Sequence, residues 1–197
     1  MSNPNNDLLI IAARDGNVAE VRRLIPISDP KAYNSDALMW AAGNGRTECV
    51  KLLIPVSDPK AQDHYALQIA AARGHLGCVR ALIPVSAPKA DESQALRWAA
   101  KNGRTECVRL LTPVSDPKAD NSKALFLALS RGHTECVELL WPLSDVAIVL
   151  KDLKNEHGDH WRDLEERHLA DLAKQQNLTL SNELGVDLGV PGRKNKI

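Results

Sequence analysis

Residues 95–123 read ALRWAAKNGRTECVRLLTPVSDPKADNSK, and almost the same phrase stands at 37–65, as ALMWAAGNGRTECVKLLIPVSDPKAQDHY. It returns at 66 and again at 124, each time 29 residues further on. Ala37-Leu38, Ala66-Leu67, Ala95-Leu96 and Ala124-Leu125 open these four copies, and Leu8-Leu9 opens a weaker one before them. A fixed period of this length is the signature of a repeat architecture, so the unit to explain is one copy. Slots are numbered below from the opening residue of each copy, so Ala95 is slot one and Leu96 slot two.

Each copy reads as helix, turn, helix and extended loop. Leucine at slot two, an apolar residue at slot four and small residues at slots five and six share one helical face. Ser35, Ser93 and Ser122 precede that helix, where a hydroxyl can accept from its free N–H groups. Gly16, Gly45, Gly74, Gly103 and Gly132 end it, because a left-handed C-terminal turn favours glycine. Thr47, Thr105 and Thr134 are placed to cap the second helix, whose C-V-x-L-L pattern is again one-faced. Pro26, Pro55, Pro84, Pro113 and Pro142 stop the second helix. Pro30, Pro59, Pro88 and Pro117 are expected to hold the loop extended, since a residue before proline is pushed out of the helical region. A two-helix unit this small completes a core only by stacking on its neighbours, which makes a solenoid. The first copy fits an outward-facing cap: Glu20 and Arg23 stand where the next copy has Cys49 and Leu52.

These phrases, Ala41-Ala42, Gly45 and Val50-x-Leu52-Leu53 with their later equivalents, resemble the ankyrin repeat. Residues 131–140, RGHTECVELL, are especially similar to the second-helix phrase of that family. The resemblance covers about residues 8–145 and implies an all-α, ankyrin-type solenoid of helix-turn-helix units with short extended loops. The unit is shorter than the family's usual length of about 33 residues, and the shortening falls between the helices. The projecting fingers should therefore be stubby or replaced by a tight loop. The expected organisation is a lead at 1–7, repeats at 8–36, 37–65, 66–94, 95–123 and 124–145, capping helices at 146–176 and a flexible tail at 177–197.

Bulk composition narrows the function. The 197 residues hold 25 basic and 25 acidic side chains. A chain with no net charge is not built to bind nucleic acid or a membrane surface through its overall field. No apolar run approaches the roughly 20 residues of a membrane span. The N-terminus has no secretory pattern, so a cytoplasmic location is expected.

Three features invite chemistry. Cys49, Cys78, Cys107 and Cys136 share one slot. Packed helices lie roughly 8–10 Å apart, whereas a disulfide needs α-carbons within about 7 Å. Zinc ligands must converge on a point, which a ladder does not do. The slot reads as buried hydrophobe, and unbridged thiols favour a reducing compartment. His75 and His133 share a slot with Arg46 and Arg104, so they read as structural or solvated. His157, His160 and His168, with Glu165, form the one metal-like grouping, but their spacing misses the i, i+4 pair of a helical zinc site. No phosphate loop or nucleophile elbow occurs, so neither catalytic residues nor a cofactor are expected. Trp40 and Trp98 share a slot with Ile11, Ile69 and Leu127 and read as core.

Function is then expected in slots that vary. By resemblance these line the concave face and the finger tips. The helix set is Met39, Asn44, Gln68, Arg73, Arg97, Lys101, Asn102, Phe126 and Arg131. The junction set is Tyr33, Asp36, Asp63, His64, Tyr65, Asp91, Glu92, Asp120, Asn121 and Lys123. The expected partner is another protein with a partly acidic surface, met over copies three to five, with Tyr65 and Phe126 as apolar anchors. The leading reading is an adaptor or inhibitor. Its alternatives are an effector exported into a host cell and, more remotely, a metal enzyme built on the C-terminal histidines.

Overall fold

The computed structural model describes residues 3–157 and residue 170. It divides into two compact units, Met1–Asp145 and Val146–Ile197. The first holds ten α-helices in five antiparallel pairs: α1 (Pro4–Asp15) with α2 (Val18–Leu24), α3 (Ala32–Gly43) with α4 (Thr47–Leu53), α5 (Ala61–Arg73) with α6 (Leu76–Leu82), α7 (Ala90–Lys101) with α8 (Thr105–Leu111), and α9 (Ala119–Ser130) with α10 (Thr134–Leu140). The odd-numbered helices pack on one another in chain order and the even-numbered helices do the same, giving two layers. No strand occurs among the described residues.

The core is a set of columns, one residue per copy. Leu9, Leu38, Leu67, Leu96 and Leu125 fill slot two and are buried, as are Ala12, Ala41, Ala70, Ala99 and Ala128. Alanine there lets neighbouring helices approach closely while leucine supplies apolar area, worth about 1.5–3 kcal/mol for each fully buried side chain. The second helices contribute the four cysteines and Leu24, Leu53, Leu82, Leu111 and Leu140, all buried. At the N-terminal end of the stack Glu20 and Arg23 pair at 2.6 and 2.9 Å on the surface of α2. The polar first copy thus closes an end that would otherwise leave apolar surface in water.

The connection between copies differs from the expected extended loop. The second helix ends at Leu24, Leu82, Leu111 or Leu140 and runs into a single 3-10 turn carrying the first proline. The following serine is extended, with Ser28 at φ −123° and ψ 178°. The second proline then occupies the first central position of a β-turn, closed by the Ala32 N–H donating to Asp29 O at 3.0 Å. Proline's fixed φ suits that position. Next come three residues in the left-handed region: Tyr33, Asn34 and Ser35 at φ 52°, 58° and 65°. The same turn recurs at Gln62–His64, Asp91–Ser93 and Asp120–Ser122. Left-handed backbone costs roughly 1–2 kcal/mol per non-glycine residue, and Asn and Asp tolerate it best. That explains Asn34, Asp63, Asp91, Asp120 and Asn121 at these junctions.

What holds the turns also corrects the expected helix caps. Ser35, Ser93 and Ser122 do not cap the helix that follows them. Their Oγ atoms accept from the N–H of Asp58, Asp116 and Asp145 at 2.8, 2.9 and 2.8 Å, each 23 residues further along. Asn6 does the same for Asp29 at 2.8 Å, and His64 Nδ1 accepts from Ala87 at 3.3 Å. One polar side-chain atom per copy, buried except at His64, therefore latches each junction to the next. Nor do Thr47, Thr105 and Thr134 cap the second helix: they are its first residues, and the preceding Arg46, Arg104 and His133 make no side-chain cap bond. Thr47 and Thr105 instead face the thiol of the following copy, with Oγ1 3.6 Å from Cys78 Sγ and 3.7 Å from Cys136 Sγ respectively.

In the second unit α11 spans Val146–His157. Val146, Val149, Leu150 and Leu153 are its buried residues, at the i, i+3 and i+4 spacing of one helical face. Apart from residue 170 and the backbone of His157, the remaining capping segment, the tail from 177 and the histidine grouping lie outside the described residues.

Candidate protein-binding face

The first helix of every copy has one arc turned out of the stack. Slots two, five and six, joined by slot one in the last four copies, form its buried arc; in the first copy slot one is the exposed Leu8. At about 100° per residue, slots three and four lie symmetrically, roughly 130° to either side of the centre of that arc. Only packing decides which of the two is covered, and it decides against the expectation. Slot three turns toward neighbouring junctions: Gln68 and Phe126 are 7% and 6% exposed and Met39 is half-buried. Gln68 Nε2 donates to Asp63 O at 2.6 Å, across the left-handed turn. Arg97 Nη1 reaches Asp120 Oδ2 at 2.6 Å, and Nη2 donates to Asp91 O at 3.0 Å. Slot four turns outward: Ile11, Trp40 and Trp98 are 45%, 40% and 38% exposed, and Ile69 and Leu127 are half-buried. Trp40 and Trp98 are thus surface residues and not core, and Phe126 is core and not an exposed anchor.

Along one border of this apolar column lie the C-terminal ends of the first helices. Arg73 and Arg131 are exposed there and Lys101 is half-buried. Arg73 also donates to Gly43 O at 2.7 Å, which fixes its stem and leaves further guanidinium N–H groups to offer. Lys101 Nζ stands 4.6 Å from the centre of the Trp98 ring, a cation held against the ring face. Asn44 and Asn102 turn back on their own helices, donating at 2.8 Å to Trp40 O and Trp98 O.

Along the other border lie the junctions. Tyr33, Tyr65, Asp63, Asp91, Glu92, Asp120 and Asn121 are exposed, and His64 is half-buried in its latch. Asp36 is half-buried, and burial pushes its carboxyl above the ordinary range. Lys123 Nζ lies 4.0 Å from the centre of the Phe126 ring. Where the column crosses from α7 to α9, Gln94, Arg97, Trp98, Lys101, Asp120, Lys123 and Leu127 line a cavity of about 220 Å³. It has an apolar wall and three cations against one carboxylate, and Arg97 Nε is buried there without a hydrogen-bond partner among the described residues.

Two other columns are structural. Arg46 Nε, His75 Nε2, Arg104 Nε and His133 Nε2 donate to Arg14 O, Gly43 O, Ala72 O and Lys101 O at 3.1, 3.0, 3.3 and 3.0 Å. Each thereby satisfies a helix-end carbonyl of the preceding copy. The four cysteines are unbridged and buried, and burial pushes each thiol up, Cys107 to about 11. A thiol held that strongly in its protonated form is a poor nucleophile.

Sequence reasoning missed slot four, although a signal was present. Slot two is leucine in all five copies, while slot four alternates Ile, Trp, Ile, Trp and Leu. A close-packed interior does not accept such changes of volume from copy to copy, so the variation itself marks a free surface.

No helix among the described residues is long and apolar enough to cross a membrane. A family model for ankyrin repeats matches the chain in three copies, at residues 1–63, 55–121 and 98–159. No curated protein matches it significantly.

Proposed function

The chain belongs to the ankyrin-repeat family, and from that premise we propose that it is an adaptor or inhibitor that binds one partner protein on its concave face. Ankyrin repeats generally mediate protein–protein interaction. The observation that carries the finer reading is the half-exposed apolar column of slot four running beside Arg73, Lys101 and Arg131. Aromatic residues flanked by cations suit a partner that is partly apolar and partly acidic. Trp98, with Lys101 over its ring, replaces Phe126 as the anchor of copies four and five. Tyr65, 40% exposed at the end of copy two and directly before slot one of copy three, keeps the role expected of it. The junction carboxylates belong first to turn geometry and only second to recognition. Unbridged thiols suit a reducing compartment, and the reading assigns the protein to the cytoplasm.

The test is an affinity capture from native lysate with wild type beside a variant carrying Arg73→Glu, Lys101→Glu and Arg131→Glu. The expected result is a partner retained by wild type and lost by the variant, with equal helicity by circular dichroism. Equal retention by both would move the site off this face.

A further inference from the structure

The spacing of the slot-four column speaks to the shape of what covers it. Ile11, Trp40, Ile69, Trp98 and Leu127 supply one apolar side chain per copy, and the first helices that carry them stack in succession. Packed helices lie roughly 8–10 Å apart, which sets the repeat distance of the column. Seven residues of α-helix rise about 10.5 Å, close to that distance. A β-strand covers it in about three residues, and three is odd, so successive anchors would point to opposite faces.

Width gives a second, independent match. The column is bordered on one side by Arg73, Lys101 and Arg131 and on the other by the exposed carboxylates Asp63, Asp91 and Glu92. Lys101 lies at slot seven, and Arg73 and Arg131 at slot eight. The junction carboxylates lie within the few residues before slot one. Eight residues of helix separate two such borders by about 12 Å, and an α-helix with its side chains is about 10–12 Å across. A polyproline II segment also presents every third residue on one face, about 9.3 Å apart, so the width between the charged borders, and not the spacing, selects the helix.

We propose that this face takes an amphipathic α-helix of the partner, lying along the stack. Its apolar residues recur every seven, one acidic flank meets Arg73, Lys101 and Arg131, and the opposite flank is basic or neutral against the junction carboxylates. This rests on the protein-binding reading and gives the partner's binding element a secondary structure and a period.

The experiment measures fluorescence anisotropy of labelled peptides against the full chain. Three peptides of about four heptads are compared. The first is helix-forming, with leucine every seventh residue and glutamate on one flank. The second has the same composition with the heptad order shuffled. The third is proline-rich, with leucine every third residue. The heptad peptide is expected to bind at least roughly tenfold more tightly than either control, and Trp98→Ala is expected to weaken it at least roughly tenfold. Equal binding by the shuffled peptide, tighter binding by the proline-rich one, or no binding by the heptad peptide at about 100 µM would each overturn the proposal. So would unchanged binding by an equally helical Trp98→Ala chain. If the heptad peptide fails while the triple charge reversal still abolishes capture of a lysate partner, the face stands and the helical occupant alone falls. If the charge reversal changes neither, the face falls as well.

Discussion

Two apolar columns, one through the last four copies and one through all five, behave in opposite ways. Cys49, Cys78, Cys107 and Cys136 are 0–1% exposed and identical in type. Ile11, Trp40, Ile69, Trp98 and Leu127 alternate in type, and three of the five are more than a third exposed. The contrast teaches that in a stacked repeat apolarity does not mean burial. Slots that meet the next copy on both sides are held to one volume, because a cavity or an overlap there is felt at two interfaces. Slots on the outward arc carry no such constraint and are free to differ. Substitutions in the two kinds of column should therefore separate stability from binding.

The largest effect is expected in the buried leucines. Leu96→Ala removes a fully buried side chain from the centre of the stack and should cost about 2–5 kcal/mol, read as a fall in the midpoint of denaturant unfolding. A loss under about 0.5 kcal/mol would mean that slot two is not the core.

Next come the glycine turns, where two copies can be set against each other. Gly103 has φ 64°, and a Cβ there would lie 2.6 Å from His133 Nδ1. Gly132 has φ 70° with nothing within 4 Å of that position among the described residues. Gly103→Ala should cost about 1–3 kcal/mol, and Gly132→Ala about 1 kcal/mol, from backbone conformation alone. Thermal unfolding of the two variants checks this, and equal costs would show that the ring of His133 does not pack where the ladder of slot ten puts it.

Cysteine burial gives a smaller, pH-dependent effect. Cys107 keeps its proton to about pH 11 in the folded chain, above its ordinary value of 9.0. The unfolded chain releases that proton first, so its contribution is fully present below about pH 9 and is lost as pH rises toward 11. Wild type should lose stability across that window, and Cys107→Val should lose less, by equilibrium unfolding at stepped pH. Parallel curves would deny the thiol its place in the core.

Much of this fold was legible from spacing alone. Period, helix pairing, glycine turns and the buried slots two, five and six follow from residues that repeat, such as Leu38, Leu67 and Leu96. What stayed hidden was of two kinds. The serine latches join atoms 23 residues apart, whereas capping rules look within a few residues, so Ser35 and Ser93 read as caps. Slots three and four are equivalent by helical angle, so residue type was allowed to decide, and tryptophan at 40 and 98 pointed inward. Stacking broke the tie by giving slot three junction partners, including Asp120 for Arg97.

The smallest effect on stability is expected in the exposed column. Trp98→Ala should change the unfolding free energy by no more than about 0.5 kcal/mol, the ordinary range for a surface substitution. The role of slot four is decided by the affinity of the captured partner for wild type and Trp98→Ala, each checked by its unfolding midpoint. The expected result is a midpoint that barely moves and an affinity that falls at least roughly tenfold, as for an aromatic anchor at an interface. An unchanged affinity, or a loss matched by unfolding, would contradict the claim that slot four is the binding column.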